Sequence, residues 1–253
     1  MIANGQDLMK AGDSKQHRSI ALVQSNYIPW KGYFDLIASV DEFVLYDDVQ
    51  FTKNDWRNRN RIKTPQGVQW LSVPVGQRID RRIRDVELSD SRWQAQHWKT
   101  LEANYRRSPG FAETADWLAP LYLDQRHETL SALNRCLIEA ICRCLSIRTR
   151  ITDSSTYHLA GDRSERVAGI CAQAGAARYV SGPAARSYLD EQVFAHHGVT
   201  VSWFDYSGYP TYPQPWGAFA HDVTVLDVLF SCGSDARRYM KLGRGPTQSE
   251  HAA

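Results

Sequence analysis

The chain has 253 residues, 43% of them hydrophobic, which is enough to bury a substantial core as one large domain or two small ones. Its 30 lysines and arginines barely outnumber its 28 aspartates and glutamates, so the balance argues against a protein that binds nucleic-acid phosphates and still permits a small anionic ligand. No window approaches the roughly 18 consecutive apolar residues of a transmembrane helix, and the sequence predicts a soluble protein.

The polar opening, residues 1–18, has no sustained period and no apolar centre of a signal peptide, and it predicts a disordered extension. The tail from residue 243 to residue 253 has the same character, which leaves a folded body over 19–242. The body begins with a short apolar run at 20–23, an amphipathic stretch at 31–40 and a second apolar run at 43–46. This order predicts a parallel strand–helix–strand unit.

The segment "RNRIKTPQGVQWLSVPV" carries turn residues between two strand-like runs and predicts a β-hairpin. Residues 90–147 then change to the helical period, which predicts an insertion of about three helices. From residue 148 the chain alternates strand, helix, strand, helix, strand, with helices expected over "SERVAGICAQAG" and "ARSYLDEQVFAHHG". An aromatic, proline-rich loop and a closing helix, "VTVLDVLFSCG", follow. The predicted fold is a single three-layer α/β domain with a mostly parallel central sheet.

The five cysteines are odd in number and form no Cys-x-x-Cys pair, which argues against a disulfide framework and a zinc ribbon. Most of them lie in apolar runs, as small core residues do in a reducing compartment, so we expect a cytoplasmic protein. The histidines lack metal-ligand spacing, and no metal site is predicted. No sequence motif identifies a cofactor, and the sequence gives no oligomeric state.

Ligands of open parallel sheets bind outside the carboxyl ends of the strands. Three polar segments follow predicted strand ends: "QSNYIPWKG", "DDVQFTKNDWRNRNR" and "SGPAARSY". In the third, Gly182 ends a strand and Arg186 lies within about one turn of the expected helix start, where free N–H groups attract an anion. Ordinary helix capping with a surface arginine is the alternative.

The second segment is the leading candidate for an active site. Its adjacent carboxylates, Asp47 and Asp48, suit the work of a base or an amine ligand, although a turn with a salt bridge is the commoner meaning of such a pair. If the chain continues extended, Asn58 and Asn60 lie on one face and three arginines on the other, with Trp56 as a stacking platform. A merely solvated face would more often use Lys and Glu. Asn and Arg are oriented hydrogen-bonding groups suited to a polyol, a phosphate or a carboxylate.

The sequence resembles the WbqC-like protein family in four segments, "ALVQSNYIPWKGYFDLI", "VDEFVLYDDVQFTKNDWRNRNRI", "RVAGICAQAGAARYVSG" and "TVLDVLFSCG", which have the family's order and spacing and cover essentially the whole body. The resemblance implies a role in the biosynthesis of surface glycans such as O-antigen, or of specialised metabolites. One departure is Ser25, where many relatives carry proline. The positions that the family pattern highlights are Gln24, Tyr27, Pro29, Gly32, Tyr33, Asp47, Asp48, Gln50, Lys53, Trp56, Asn58, Arg59, Arg61, Gly182, Tyr188 and Asp227.

A weaker likeness joins "PWKGYF" to the His-x-Gly-His entry of nucleotidyl transferases and adenylate-forming ligases. There a glycine lets the ligand phosphates reach a helix N-terminus. Here the motif would be Trp30-Lys31-Gly32-Tyr33, and both histidines that would stabilise the transferring phosphate are missing.

These features favour an enzyme that transfers a group, by acylation or amide formation, to a small anionic intermediate that bears an amino group. Asp47 or Asp48 would deprotonate or orient the amine, while Lys53, Arg59 and Arg61 would hold a phosphate or carboxylate. One alternative is an ATP-dependent ligase or nucleotidyl transferase. The other is a non-catalytic accessory protein that presents an intermediate to a partner enzyme. The residues expected to contact the substrate are Gln24, Tyr27, Tyr33, Gln50, Trp56, Asn58, Arg59, Arg61, Gly182, Arg186 and Tyr188.

Overall fold

A computed structural model of the protein describes residues 18–88 and 92–242. The tail predicted for 243–253, and all but the last residue of the extension predicted for 1–18, lie outside these residues. In chain order the strands are β1 (Ser19–Val23), β2 (Glu42–Leu45), β3 (Arg59–Thr64), β4 (Gly67–Ser72), β5 (Arg150–Asp153), β6 (Arg178–Ser181) and β7 (Thr200–Trp203). The α-helices are α1 (Lys31–Ala38), α2 (Arg92–Tyr105), α3 (Phe111–Leu123), α4 (Leu130–Cys144), α5 (Arg163–Gln173), α6 (Glu191–His196) and α7 (Val225–Cys232).

Five strands form an all-parallel sheet in the order β5-β2-β1-β6-β7, and β3 pairs with β4 in a separate antiparallel hairpin. The predicted α/β class, the hairpin and the three helices of the insertion are therefore confirmed. No helix within the described residues is long and apolar enough to cross a membrane.

The pleat of β1 divides its side chains between two cores. Ala21 packs in the larger cluster with α1, α2, α3, α4 and α7, whereas Ile20 and Leu22 pack in a smaller cluster with α5 and α6. Both faces of the strand are thus buried, as its uninterrupted apolar sequence requires. The result is a helix layer on each side of the sheet.

The helix expected over "ARSYLDEQVFAHHG" is not continuous. A short 3-10 helix covers Pro183–Ser187, and α6 begins only after Asp190. The Asp190 carboxylate accepts a hydrogen bond from the backbone N–H of Gln192 at 2.9 Å, which is an N-cap that starts a new helix. The second hairpin strand also ends earlier than expected, at Ser72, because Pro74 cannot donate to a strand ladder.

The strand order places a topological switch point at β1. The chain runs from β1 to β2 and on to β5 on one side, and then returns to β6 and β7 on the other side. Loops that follow β1, β2, β5 and β6 consequently meet at one edge of the sheet, where ligands bind in folds of this kind.

Candidate functional site

The loop that follows β1 is held in an unusual backbone conformation. Ile28 has a φ of 37°, in the left-handed region that a β-branched residue rarely adopts. The buried Asn60 side chain fixes it, because its amide nitrogen donates to the carbonyl oxygens of Tyr27 at 3.1 Å and Ile28 at 2.9 Å. Strain of this sort costs about 1 to 3 kcal/mol and persists only where neighbouring contacts impose it, most often at functional sites.

Arg57 holds the beginning of the same loop. Its guanidinium donates to the side-chain oxygen of Asn26 at 2.9 Å and to that of Gln24 at 3.2 Å. The Asn134 amide on α4 adds bonds to the Ser25 hydroxyl at 3.1 Å and to the Arg57 carbonyl at 2.9 Å. The loop after β1 is therefore rigidly positioned by residues that lie far from it in sequence.

A cavity of about 270 Å³ opens between this loop, the residues before β3 and the segment before α7. Two indoles and several polar groups line it, and we call it the indole cavity. Its lining residues are Asn26, Pro29, Trp30, Trp56, Asn60, His221 and Asp222. Apolar walls with a few convergent polar groups are typical of small-molecule sites.

His221 and Asp222 reach the cavity because the chain before α7 is bonded to both other walls. The N–H of Thr224 donates to the Arg61 carbonyl, and the N–H of Val225 donates to the Pro29 carbonyl, each at 2.9 Å. The Arg61 guanidinium in addition forms an ion pair with the Asp222 carboxylate. An imidazole and a carboxylate are thus placed side by side at the rim.

The two predicted catalytic aspartates line a different cavity, also of about 270 Å³, at the carboxyl ends of β2 and β5. Asp47 is buried, and its carboxylate accepts bonds from the Ser25 N–H at 2.8 Å and from the Ser131 hydroxyl. Burial raises the pKa of Asp47. This carboxylate therefore holds the loop after β1 against α4, one residue away from the Asn26 of the indole cavity.

Asp48 is also engaged by protein groups. Its carboxylate lies 2.8 Å from the Arg84 guanidinium and 3.6 Å from that of Arg82, and it accepts a bond from the Ser154 hydroxyl at 2.7 Å. Lys53 lies elsewhere and donates to the side chain of Gln77. The structure thus does not bring Lys53 together with the aspartate pair.

Of the residues predicted to contact substrate, Tyr27 and Tyr33 lie in the core. The Tyr27 hydroxyl lies 2.6 Å from the Tyr122 hydroxyl and 2.8 Å from Nδ1 of His97, and the Tyr33 hydroxyl donates to the Gln24 carbonyl at 3.1 Å. Both side chains are buried, and their hydroxyls hold the loop after β1 to the protein core.

The predicted alternation of "NRNR" is present in the structure. Asn58 and Asn60 are buried, while Arg59 and Arg61 lie on the outer face of the hairpin. The Arg59 guanidinium stacks on the Trp70 ring, with 4.0 Å from its carbon to the ring centroid. Asn58 donates to the Val73 carbonyl at 3.1 Å and therefore bonds the hairpin internally.

The remaining predicted residues are dispersed. Gln50 is exposed in an open groove beside Arg78 and Arg82. Arg186 lies over the Trp203 ring at 5.2 Å, and Tyr188 is exposed beneath the Arg163 guanidinium. The segment after β6 forms only the five-residue 3-10 helix, so the anion site predicted from the start of a longer helix lacks that helix.

Gly182, at the end of β6, lies under an aromatic ring. A Cβ atom built there would sit 3.4 Å from the Tyr206 ring, whose centroid in turn lies 5.3 Å from that of Trp30. The aromatic loop, which comprises residues 206–216, therefore covers the crevice between the ends of β1 and β6.

The motif Trp30-Lys31-Gly32-Tyr33 has a packing explanation. The Trp30 indole lies so close to Gly32 that an added Cβ would sit 2.3 Å from it. Gly32 therefore leaves room for the Trp30 indole at the start of α1. In the nucleotide-binding interpretation of this motif, a ligand phosphate would occupy that space. Lys31 is buried, donates to the Pro210 carbonyl at 3.2 Å and points under the aromatic loop. Burial lowers the pKa of its ammonium group to about 8.

Sequence reasoning missed four residues of the indole cavity: Asn26, Trp30, His221 and Asp222. The first two lie inside segments that were singled out, and Asn60 was grouped with Asn58 on one polar face. The rim residues carry no local signal, because Arg61 and Asp222 are separated by 161 positions and meet only through the fold. Within 18–88 and 92–242, no three or more His, Cys, Asp or Glu side chains converge in a way that would hold a metal ion.

The profile of the WbqC-like protein family matches residues 24–239. The chain is also similar to the uncharacterized protein Rv1507c of Mycobacterium tuberculosis, with 54% identity over 229 residues that cover 90% of this chain and 99% of that protein. No solved structure matches the chain significantly. The family match begins directly after β1, extends past α7 and includes every lining residue of the indole cavity.

Proposed function

Because this chain belongs to the WbqC-like protein family, we propose that it is a biosynthetic enzyme that transfers an acyl group to the amino group of a small anionic intermediate. The observation that carries the proposal is the indole cavity at the carboxyl edge of the sheet. Its rim places His221 and Asp222 beside two indole side chains. The family's implied context, the biosynthesis of surface glycans or specialised metabolites, is part of the proposal.

The cavity suits an amine. An ammonium group is attracted by the faces of Trp30 and Trp56, since indole is the strongest cation–π partner among side chains. The Asp222 carboxylate at the cavity is paired with the Arg61 guanidinium, whose carbon lies 5.3 Å from the Trp56 ring centroid and so already places a cation over that indole. The amides of Asn26 and Asn60 supply oriented polar groups around the apolar walls, which would fix the substituents of the intermediate.

His221 is the proposed general base, a role for which imidazole is the most frequent choice in enzymes. It would accept a proton from the substrate ammonium, and the free amine would attack the carbonyl carbon of an activated acyl donor such as a thioester. The new C–N bond forms as the bond between the carbonyl carbon and the leaving group breaks. The leaving group takes the bond electrons and the second amine proton, which yields an amide and a neutral leaving group.

Asp47 and Asp48 enter this proposal as positioning residues. Asp47, which follows β2, accepts a hydrogen bond from the N–H of Ser25, next to Asn26. This bond fixes the cavity wall at Asn26 relative to β2. The anionic part of the intermediate would be held by the guanidinium groups on the outer face of β3, of which Arg59 has no carboxylate within ion-pair distance among residues 18–88 and 92–242. The role predicted for Lys53, to hold a phosphate or carboxylate, has no place in this proposal, because its ammonium group donates to Gln77 and it lines neither cavity.

The nucleotide-dependent alternative receives less support, because the Trp30 indole occupies the start of α1 that phosphates would have used. The accessory-protein alternative uses the same cavity. Turnover by the purified protein, with no partner present, would contradict that alternative. All five cysteines are unpaired, which supports our proposal that the protein works in a reducing compartment such as the cytoplasm.

The experiment is product formation by the purified protein, followed by mass spectrometry with amino-sugar phosphates or amino-sugar nucleotides and thioester donors. His221→Gln should lower the rate by about 100-fold or more, the usual worth of a general base, without changing the melting temperature. The matched control is His158→Gln, since His158 is exposed and lies outside the cavity. A His221→Gln enzyme with the wild-type rate contradicts the assignment.

A further inference from the structure

The outer face of the β3–β4 hairpin exposes large aromatic surface directly beside the indole cavity. Trp70 is 43% exposed and Trp56 is 37% exposed, and their ring centroids lie 5.3 Å apart at an interplanar angle of 42°. Trp56 is also a wall of the cavity. The cavity and the exposed aromatic face are therefore one continuous surface.

The same face carries three basic residues, of which Lys63 is buried. Cross-strand pairing sets Arg59 opposite Ser72, Arg61 opposite Trp70 and Lys63 opposite Val68. Directly opposed residues of an antiparallel pair share one face, and none of these six is a carboxylate or a carboxamide. The face therefore offers aromatic rings and positive charge to a ligand.

Arg59 is the cation that is available to a ligand. Its side chain is half-buried, and its guanidinium lies over the Trp70 ring with 4.0 Å from its carbon to the ring centroid. Arg61 is neutralised by Asp222, and Lys63 donates to the Ala218 carbonyl. Within the described residues no carboxylate pairs with Arg59, so a positive charge stacked on an indole lacks a counter-ion.

We propose that this face is a nucleotide subsite, in which the base of a nucleoside diphosphate stacks on Trp70 and Trp56 and the phosphates pair with Arg59. Base–aromatic stacking and planar arginine–phosphate contacts are the interactions that such a ligand requires. The inference rests on the proposed function in one respect: the nucleotide is the carrier part of the intermediate whose amine occupies the indole cavity.

The test is calorimetric titration of the full-length protein with UDP, dTDP, CDP, GDP and ADP, and with the base-free probes pyrophosphate and glucose 1-phosphate. At least one nucleoside diphosphate should bind tenfold or more tightly than both base-free probes. Trp70→Ala should weaken its binding by about tenfold or more, as expected for the loss of one stacking ring. Arg59→Gln should weaken binding of the diphosphate by a larger factor than binding of the corresponding uncharged nucleoside, because only the diphosphate loses a charge pair.

The matched control is Trp216→Ala. Trp216 is also 37% exposed, but it lies outside the hairpin and donates to the Asn104 carbonyl at 3.1 Å. Equal affinity for glucose 1-phosphate and the best nucleotide, binding of no nucleotide, or equal losses in Trp70→Ala and Trp216→Ala would each overturn the proposal. The titration separates the two proposals, because a nucleoside diphosphate carries no amine: its binding tests this subsite alone, whereas the turnover of His221→Gln tests the proposed function alone.

Discussion

Replacing Asn60 by alanine tests whether this residue holds the loop after β1. Asn60 is 2% exposed, and its side chain donates to the carbonyls of Tyr27 and Ile28 and accepts from the N–H of Arg61 at 2.8 Å. A buried hydrogen bond contributes about 1 kcal/mol, and a buried carbonyl left without a donor costs more. Relaxation of the strained Ile28 offsets part of this cost. We expect Asn60→Ala to lower the unfolding free energy by about 2 to 4 kcal/mol.

Urea and thermal unfolding measure this loss, and it corresponds to about 5 to 15 °C in melting temperature for a domain of this size. Asn58→Ala is the matched control, since Asn58 is equally buried but donates only to the Val73 carbonyl. Its cost should be about 1 kcal/mol. Asn60→Asp keeps the acceptor for Arg61 and removes the donor, so it should be at least as damaging as alanine. If Asn60→Ala costs no more than Asn58→Ala, the reasoning fails.

Three further changes probe other buried polar groups. Asp227→Asn should lower the unfolding free energy by about 2 to 3 kcal/mol, because the Asp227 carboxylate accepts bonds from Tyr105 and Tyr212, and equal stability in urea would contradict this. Asp48→Asn should cost about 1 to 2 kcal/mol through the lost arginine pair, and an unchanged melting temperature would leave Asp48 free for catalysis. Lys31 has a pKa of about 8 in the folded protein and near 10.5 in the unfolded chain, so between these pH values only the unfolded chain holds the proton. The unfolding free energy of the wild type relative to that of Lys31→Met should therefore rise with pH over this range. Parallel pH profiles of the two proteins would contradict the burial of this ammonium group.

The sequence allowed most of the fold to be predicted, because its signals are local. Apolar runs at β1 and β2, turn residues in the hairpin and helical periods from 92 to 144 each specify an element without reference to the rest of the chain. The break between the 3-10 helix and α6 was not predicted, because an aspartate inside a helical period is also compatible with a continuous helix. Only the N-cap geometry of Asp190 distinguishes the two.

The candidate site was predicted only in part. Ligands of open parallel sheets bind outside the carboxyl ends of the strands, and this rule predicted a site past the ends of β1 and β2. The preference for Asn and Arg over Lys and Glu added the residues of β3 to the predicted site. The rule does not state which carboxylates face a ligand, and Asp47 is instead bonded to Ser25 and Ser131. His221 and Asp222 enter from a segment that meets β3 only in the folded chain, and such a contact has no pattern in the sequence.

The most direct test of the central claim, that the indole cavity binds the amine-bearing substrate, is equilibrium titration with a panel of amino-sugar phosphates and amino-sugar nucleotides. For the tightest-binding member, Trp56→Ala should weaken affinity by about tenfold or more, in line with the loss of a cation–π and stacking partner. Trp216→Ala, with the same 37% exposure, should bind as the wild type does. Equal affinity of the wild type and Trp56→Ala for every member of the panel that binds would contradict the account.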